Sequence, residues 1–347
     1  MLLDNTTKRK DCCVGIIVPT MNRPEFIIRM LNFYGEVNSP HVLYIGDSST
    51  PEKFSIIKDA VESINNRIKV NLYSLPEMND RQAIYYLSNQ VKEKYCAFTG
   101  DDDILLPFGL IECAKFLKNN MDYRTAQGSG LIFSLNNNTP YGSIEAITSY
   151  NKYASSEHNS ASNRVAEFSS NYWTPQFSVH RTDEYIDDMS EYKNITNKTF
   201  GELIVNYASI AKGKSRYIDC NYLIRQDHAL RYILPNQLEW FLSESWKDSY
   251  LLFINSISRR VSDVDGVDVK KAKESFKDVF IIYLNQWGRA HYVIDCFYYP
   301  KKIIKIALHP LYRLYRTIYI KYILQKYLQN SPEFRVLYNI LIRENYE

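Results

Sequence analysis

The six cysteines (Cys12, Cys13, Cys96, Cys113, Cys220, Cys296) include no CxxC pair and show no metal-finger spacing, which favours a reducing compartment. No stretch approaches the ~18 consecutive apolar residues of a spanning helix. The apolar run from Cys12 to Val18 stops at Pro19, too short for a signal core, so a cytoplasmic protein is expected. Charge is not in excess either. With 42 Lys+Arg against 39 Asp+Glu the net is only +3, too balanced to make nucleic acid the default partner. Glycine is scarce at 12 residues, whereas tyrosine reaches 29, an unusual supply of rings with hydroxyls suited to cores, interfaces and stacking on flat ligands. At 45% hydrophobic and 23% charged, a disordered or collagen-like chain is excluded. A length of 347 residues is about twice the usual ~100 to 200 of one domain and implies one large core or two smaller ones.

Through residue 135, short β-rich runs alternate with helical patterns, the signature of a parallel α/β sheet. Strands are expected at Val14–Val18, Val42–Ile45, Lys69–Tyr73, Tyr95–Thr99 and Leu131–Ser134. Phe54, Ile57, Val61 and Ile64 recur at helical spacing between them, as do Ile84, Leu87 and Val91, and Pro107 opens a further helix. Asn136 to Asn163 is rich in Asn, Ser and Tyr without a clear period and reads as a long surface excursion able to cover a site. A second block holds a strand near Phe177–His180, a helix over Thr199–Ala211 and a strand near Tyr217–Cys220. Two apolar helical stripes follow, Leu238 through Ile257 and Val269 through Trp287, both read as core. Residues 301–328 carry seven Lys+Arg and no acid among Ile, Leu and Tyr, a basic amphipathic segment of the kind that lies on anionic membranes. The alternative is a helix packed on the body with a solvated cationic face.

The strongest chemical signal is Asp101-Asp102-Asp103, directly after a strand-like run. Three crowded carboxylates repel one another unless a cation or hydrogen-bond donors offset the charge, and hard oxygen ligands suit Mg²⁺ or Mn²⁺. The C-terminal end of a strand is also where α/β sheets bind ligands. The plainer alternative is that one Asp caps the next helix. Asp47 ends another short apolar strand and can accept hydrogen bonds from a base or ribose, although turn-forming Asp is ordinary there. Val18-Pro19-Thr20-Met21-Asn22-Arg23-Pro24 ends the first strand abruptly and offers Arg23 to a diphosphate.

These segments, with Asn79-Asp80-Arg81-Gln82-Ala83, stand in an order and spacing that resembles the family 2 nucleotide-sugar glycosyltransferases, which have the GT-A fold. The resemblance covers residues 12 to 135 well and Phe168 to Arg231 loosely. It implies an α/β GT-A domain over residues 1–235, with a nucleotide half at about 12–135 and an acceptor half at about 136–235. Residues 236–347 then form a helical region ending in the basic tail. By the same resemblance Pro19, Thr20 and Arg23 border the nucleotide, Asp47 contacts its base, and Arg81 lies near the base or diphosphate. Asp101 sits by the ribose, while Asp102 and Asp103 hold a divalent cation, Mn²⁺ or Mg²⁺. Gly46 and Gly100 stand where the family often has carboxylates, so which Asp touches metal is left open. Glu202 corresponds to the general base, with Leu203 replacing the usual following Asp; the alternative is a solvated acid in a helix's first turn. Arg225 and His228 resemble the closing loop that neutralises diphosphate or reaches metal, and Trp173 is a candidate for stacking on an acceptor sugar, with core packing as its alternative. The implied reaction moves a sugar, with inversion, from a nucleotide diphosphate, UDP foremost, to a glycan or lipid-linked glycan in bacterial surface-polysaccharide synthesis, capsule or O-antigen. The implied location is the cytoplasm or, peripherally, the inner face of its membrane.

Rival readings are weaker. Gly213-Lys214-Ser215 lacks the Gly five residues earlier that a P-loop needs, since Ala208 stands there. A sugar nucleotidyltransferase would show a Gly-rich loop after the first strand, absent from Thr20–Glu25. A non-catalytic sugar-nucleotide-binding or scaffold protein is the remaining alternative.

Overall fold

The protein is described by a computed structural model covering residues 12–137, 139–150, 155–229, 231, 234–285 and 309–343. The first half alternates β1 (Val14–Thr20), α1 (Pro24–Glu36), β2 (Val42–Asp47), α2 (Pro51–Ile64), β3 (Lys69–Ser74), α3 (Asp80–Ser88) and β4 (Tyr95–Phe98). The local causes are visible in the sequence. Pro24 and Pro51 occupy first-turn positions of α1 and α2, where a missing N–H costs nothing. Asn79 and Gln82 form a reciprocal capping box at α3. Next come β5 (Ile104–Leu105), α4 (Pro107–Asn119), β6 (Tyr123–Leu135), β7 (Ile144–Tyr150), α5 (Ala161–Ser170), β8 (Val179–Arg181), α6 (Thr182–Asp188), α7 (Lys198–Lys212) and β9 (Lys214–Gln226). After them lie α8 (Gln237–Leu242), α9 (Trp246–Asp265), α10 (269–285), α11 (His309–Asn330) and α12 (Pro332–Arg343).

Among the described residues the strands form one mixed sheet in the order β3-β2-β1-β4-β8-β6-β9-β5, with β7 beside β6. The first four in that order are parallel, so Thr20, Asp47 and Phe98 finish along one edge. From β8 onward the pairing is mixed: β8 runs antiparallel to β4 and β6, whereas β6 and β9 are parallel. Helices flank both faces. One apolar cluster includes Ile27, Ile57 and Leu110 together with Phe334, Leu337 and Ile340 of α12. The other joins Ile84, Phe168 and Phe200 to Trp240, Phe253 and Phe280. The helices after residue 236 therefore cover both sides of the sheet.

Several sequence expectations change. Residues 136–163 are not an aperiodic excursion: β7 pairs antiparallel with β6, and α5 begins at Ala161, capped by Ser160, whose side chain accepts from the Asn163 amide. Only Ile147 of β7 is buried, so no apolar alternation marks that strand. β6 starts eight residues before Leu131, and its first half escapes sequence reading because Arg124, Thr125 and Gln127 are buried there with only Ala126 as hydrocarbon between them. Arg124 is neutralised there by Asp188, with Nε donating to Oδ2 at 3.0 Å. The stripe from Leu238 is broken between α8 and α9, leaving Leu238 and Leu242 exposed while Phe253, Ile254 and Ile257 are core. In the next stripe Val269 is exposed, Ala272, Phe276, Phe280 and Tyr283 are buried, and Trp287 lies outside the described residues. Of the tail cations, Lys301, Lys302 and Lys305 and the side chains of Arg313 and Arg316 also lie outside them; Lys321 and Lys326 are exposed on α11. Pro310 stands in the first turn of that helix. Among the described residues no helix is long and apolar enough to cross a membrane.

Candidate active site

The β1–α1 turn is set by Asn22, which adopts φ 60°, a left-handed conformation that Asn tolerates better than most residues. Its amide donates to Ser49 Oγ at 2.6 Å and its carbonyl accepts from Lys53 Nζ at 3.0 Å, pinning this turn to the one after β2. Arg23 is thereby held at the N-cap of α1, facing the triplet after β4. Thr20 Oγ1 donates to Asp101 Oδ2 at 2.6 Å, Arg23 Nε to the same oxygen at 3.1 Å, and Arg23 Nη2 to Asp101 Oδ1. Arg23 Nη1 reaches Asp102 Oδ2 at 3.2 Å. A Cβ at Gly100 would lie 2.5 Å from Asp102 Oδ1, so a side chain there would require the Asp102 carboxylate to turn. A Cβ on Gly46 would likewise meet Leu75 and Leu87 within 3 Å.

The other side of the triplet is bound by the end of β9. Arg225 Nε donates to Asp103 Oδ2 at 2.8 Å and the Gln226 amide to Oδ1 at 3.2 Å. The Arg225 guanidinium lies between the rings of Tyr150 and Phe177, 5.0 and 4.7 Å from their centroids, and its Nη1 donates to Tyr150 Oη at 3.1 Å. This aromatic clamp fixes the cation and adds cation–π attraction. His228 Nε2 lies 2.9 Å from Asp102 Oδ2, with its ring stacked on Phe26 at 4.9 Å.

Burial lifts Asp101 and Asp103 to about 6 although Arg23 and Arg225 respectively pull each down, with the neighbouring Asp102 charge adding to the rise. For Asp102 burial acts upward too, but the His228 hydrogen bond and the Arg23 charge prevail, and it falls below the ordinary carboxylate range. Asp102 is therefore the member of the triplet most firmly ionised. For Arg225, burial acts to lower the pKa, and the Asp103 charge outweighs it and raises it.

A cleft of about 770 Å³ opens at these strand ends. Pro19, Thr20, Arg23, Arg81, the whole triplet, Glu202 and Arg225 all line it. Glu202 comes from the second turn of α7, and burial raises its pKa while Tyr172 and Arg225 counteract that. Arg81 lies with Asp80 at 3.6 Å. Asp47 sits deeper, 1% exposed; Oδ1 accepts from the Ser49 amide at 2.8 Å, whereas Oδ2 is buried with no hydrogen-bond partner. Trp173 is placed elsewhere, packed edge-on against Phe168 at 4.7 Å and 5% exposed, because α5 and α7 close around its ring.

Among the described residues no three carboxylate, imidazole or thiol groups converge as a ready metal cage. Asp102 Oδ2 and His228 Nε2 approach within 2.9 Å as a hydrogen-bonded pair. Asp102 Oδ2 also takes Arg23 Nη1 at 3.2 Å, the His228 side chain is fully buried, and Asp103 is held by Arg225 and Gln226, so a divalent ion entering the cleft would rest on the Asp102 carboxylate together with phosphate and water.

Sequence reasoning missed residues that act from behind. Arg29, 1% exposed, donates from Nη2 to the Asp102 carbonyl at 2.7 Å, and from Nη1 to the Pro140 carbonyl at 2.8 Å and to Gln226 Oε1. Phe26 carries both Arg23 and Arg29 near its ring, 5.5 and 5.1 Å from the centroid. The spacing of residues 23, 26 and 29 along one helix was the available signal.

No family model and no curated protein matches the chain. Solved structures with a similar course include S. aureus TarS 1–349, at 13% identity, covering 79% of this chain and 91% of that one with a TM-score of 0.43. The same protein in complex with UDP-GlcNAc is 15% identical over 79% of this chain and 72% of that one, TM-score 0.47. In complex with UDP it is 14% identical over 79% and 71%, TM-score 0.46.

Proposed function

We propose that this protein is an inverting, metal-dependent GT-A glycosyltransferase that moves a sugar from a UDP donor to a hydroxyl of a glycan or lipid-linked glycan. One observation supports this above the rest: Glu202, far along the chain from the triplet, opens into the same cleft as Asp101–Asp103, Arg23 and Arg225. A carboxylate thus shares a chamber with a cluster suited to a diphosphate.

Asp47 would take the imide N–H of the base on its unpartnered Oδ2, a donor that offsets the cost of an orphaned buried oxygen. Asp101, held by Thr20 and Arg23, would face the ribose. Asp102 would hold Mn²⁺ or Mg²⁺, joined by Asp103 and His228 once their present hydrogen bonds are exchanged, and the ion when bound supplies electrostatic stabilisation to the departing diphosphate. Arg225 and Arg23 add fixed cations toward the same charge, effective because the aromatic clamp and the helix cap hold them in place beforehand. Glu202 takes the acceptor's hydroxyl proton as that oxygen bonds to the anomeric carbon and the bond to the diphosphate breaks, the leaving oxygen keeping the electron pair. The setting consistent with this reading is polysaccharide assembly at an anionic membrane surface, with α11 as the contact.

The test is transfer or hydrolysis of UDP-sugars by purified protein with Mn²⁺. Asp102→Ala and Glu202→Ala should each cut turnover at least about 100-fold with unchanged circular dichroism. Full activity in both variants would reject the assignment, and donor binding without turnover in the parent would favour a non-catalytic binding protein.

A further inference from the structure

Glu202 does not stand alone in the cleft wall. Tyr172 Oη lies 2.8 Å from Glu202 Oε1, Asn206 Nδ2 lies 2.9 Å from Tyr172 Oη, and the backbone amide of Gln176 lies 2.8 Å from Asn206 Oδ1. The direction of this chain is fixed by chemistry. A backbone N–H can only donate, so Asn206 Oδ1 is its acceptor and the Asn206 amide must turn its NH₂ toward Tyr172. With one lone pair of its oxygen engaged, the Tyr172 hydroxyl has its proton free for one partner, and that partner is Glu202 Oε1. Among the described residues nothing is seen to donate to Oε2.

Such an arrangement is costly to build without purpose. Asn is a poor residue for the interior of a helix, and Asn206 is fully buried one turn beyond Glu202. Burying an amide is tolerated only when both ends are bonded, and both are. The Tyr172 ring is gripped by Phe168 and Tyr283, each at 5.1 Å, so its hydroxyl has little freedom to leave Glu202.

We infer that Tyr172 and Asn206 are positioning residues for the Glu202 base, locking Oε1 as the acceptor of a directed hydrogen-bond chain and presenting Oε2 to the incoming hydroxyl. This rests on the glycosyltransferase reading above and adds to it a pair that touches neither donor nor acceptor. The groups around Glu202 are Tyr172, Tyr283 from α10, Arg225 from β9, and Lys198 one turn earlier on α7, with Arg81 of α3 against the adjoining Gly201. Tyr172 donates to the ionised form and so keeps Glu202 a base at lower pH than burial alone would allow.

Tyr172→Phe deletes one oxygen and leaves the ring packing. Asn206→Asp is nearly isosteric but replaces a donor with an acceptor, so the Tyr172 hydroxyl must turn to the new carboxylate and away from Glu202. Both variants should lower kcat at least about tenfold at pH 7, leave the donor KM within about twofold, and move the acid limb of the pH–rate profile up by about one unit. The double variant should be no worse than either single one, because each breaks the same chain. Glu202→Gln runs in parallel. If it is inactive while folded Tyr172→Phe and Asn206→Asp keep the parent's kcat and pH profile, the positioning role is overturned and the base stands. If Glu202→Gln retains turnover, the base assignment fails and the positioning role with it.

Discussion

Arg29 shows how much of the cleft depends on a side chain that never enters it. Its guanidinium ties the triplet's backbone, the end of β9 and the loop at Pro140 into one block. Arg29→Met would leave three acceptors without donors, each worth about 1–3 kcal/mol when buried, so urea unfolding should show a loss of about 3 kcal/mol or more. Arg29→Lys should recover part of it, and a Met variant as stable as the parent would remove Arg29 from this role. Asp47 and the triplet were legible in the sequence because acids directly after apolar strands stand out against their surroundings. Arg29, Tyr172 and Asn206 were not, since an Arg within a helical period reads as solvated and a buried amide betrays itself only through partners far away in sequence. For Trp173 the sequence left acceptor stacking and core packing both open, and the structure packs the ring in the core.

At the level of elements, the parallel strands β1 to β4 and their helices could be read directly, because short β-rich runs and helix caps are local signals. The second half of β6 could be read as Leu131–Ser134, but its first half, β7 and α5 could not, because an ion-paired Arg124 and a half-exposed strand erase the period on which such reading depends. α11 carries both kinds of information. Its inner residues Ile320, Ile323 and Leu324 pack on the body, while Ile318, Lys321, Tyr322 and Lys326 face outward without an acid among them. An outward face of two cations, an aromatic and an aliphatic residue suits a layer of anionic headgroups. Reversing Lys321 and Lys326 to Glu should weaken binding to vesicles containing phosphatidylserine by about tenfold or more, at roughly 1 kcal/mol per cation lost and more for the charges gained. Equal co-sedimentation of parent and variant would dismiss the membrane contact.

For the molecule as a whole, the last helices are clamped onto the first. Glu333 at the start of α12 accepts from the Phe108 amide in the first turn of α4 at 2.9 Å, and burial raises its pKa to about 7. The folded chain thus holds this proton more tightly than the unfolded one. Its contribution is fully present below the unfolded value of about 4.3 and is lost as pH rises through about 7. Glu333→Gln stays neutral throughout, so its stability advantage over the parent should grow between about pH 4 and 7, reaching about 1 to 3 kcal/mol. Denaturation curves that remain parallel across that range would contradict the assignment. At the far end of α12 the Leu341 carbonyl accepts from the Gly142 amide at 2.8 Å. Gly142 belongs to the loop whose Thr139 and Pro140 carbonyls accept from Gln226 and Arg29. A protease cut or affinity tag within the final turns of α12 would therefore loosen the backing of the Asp101–Asp103 triplet, and under the proposed function a tag intended as inert would read out as a loss of turnover.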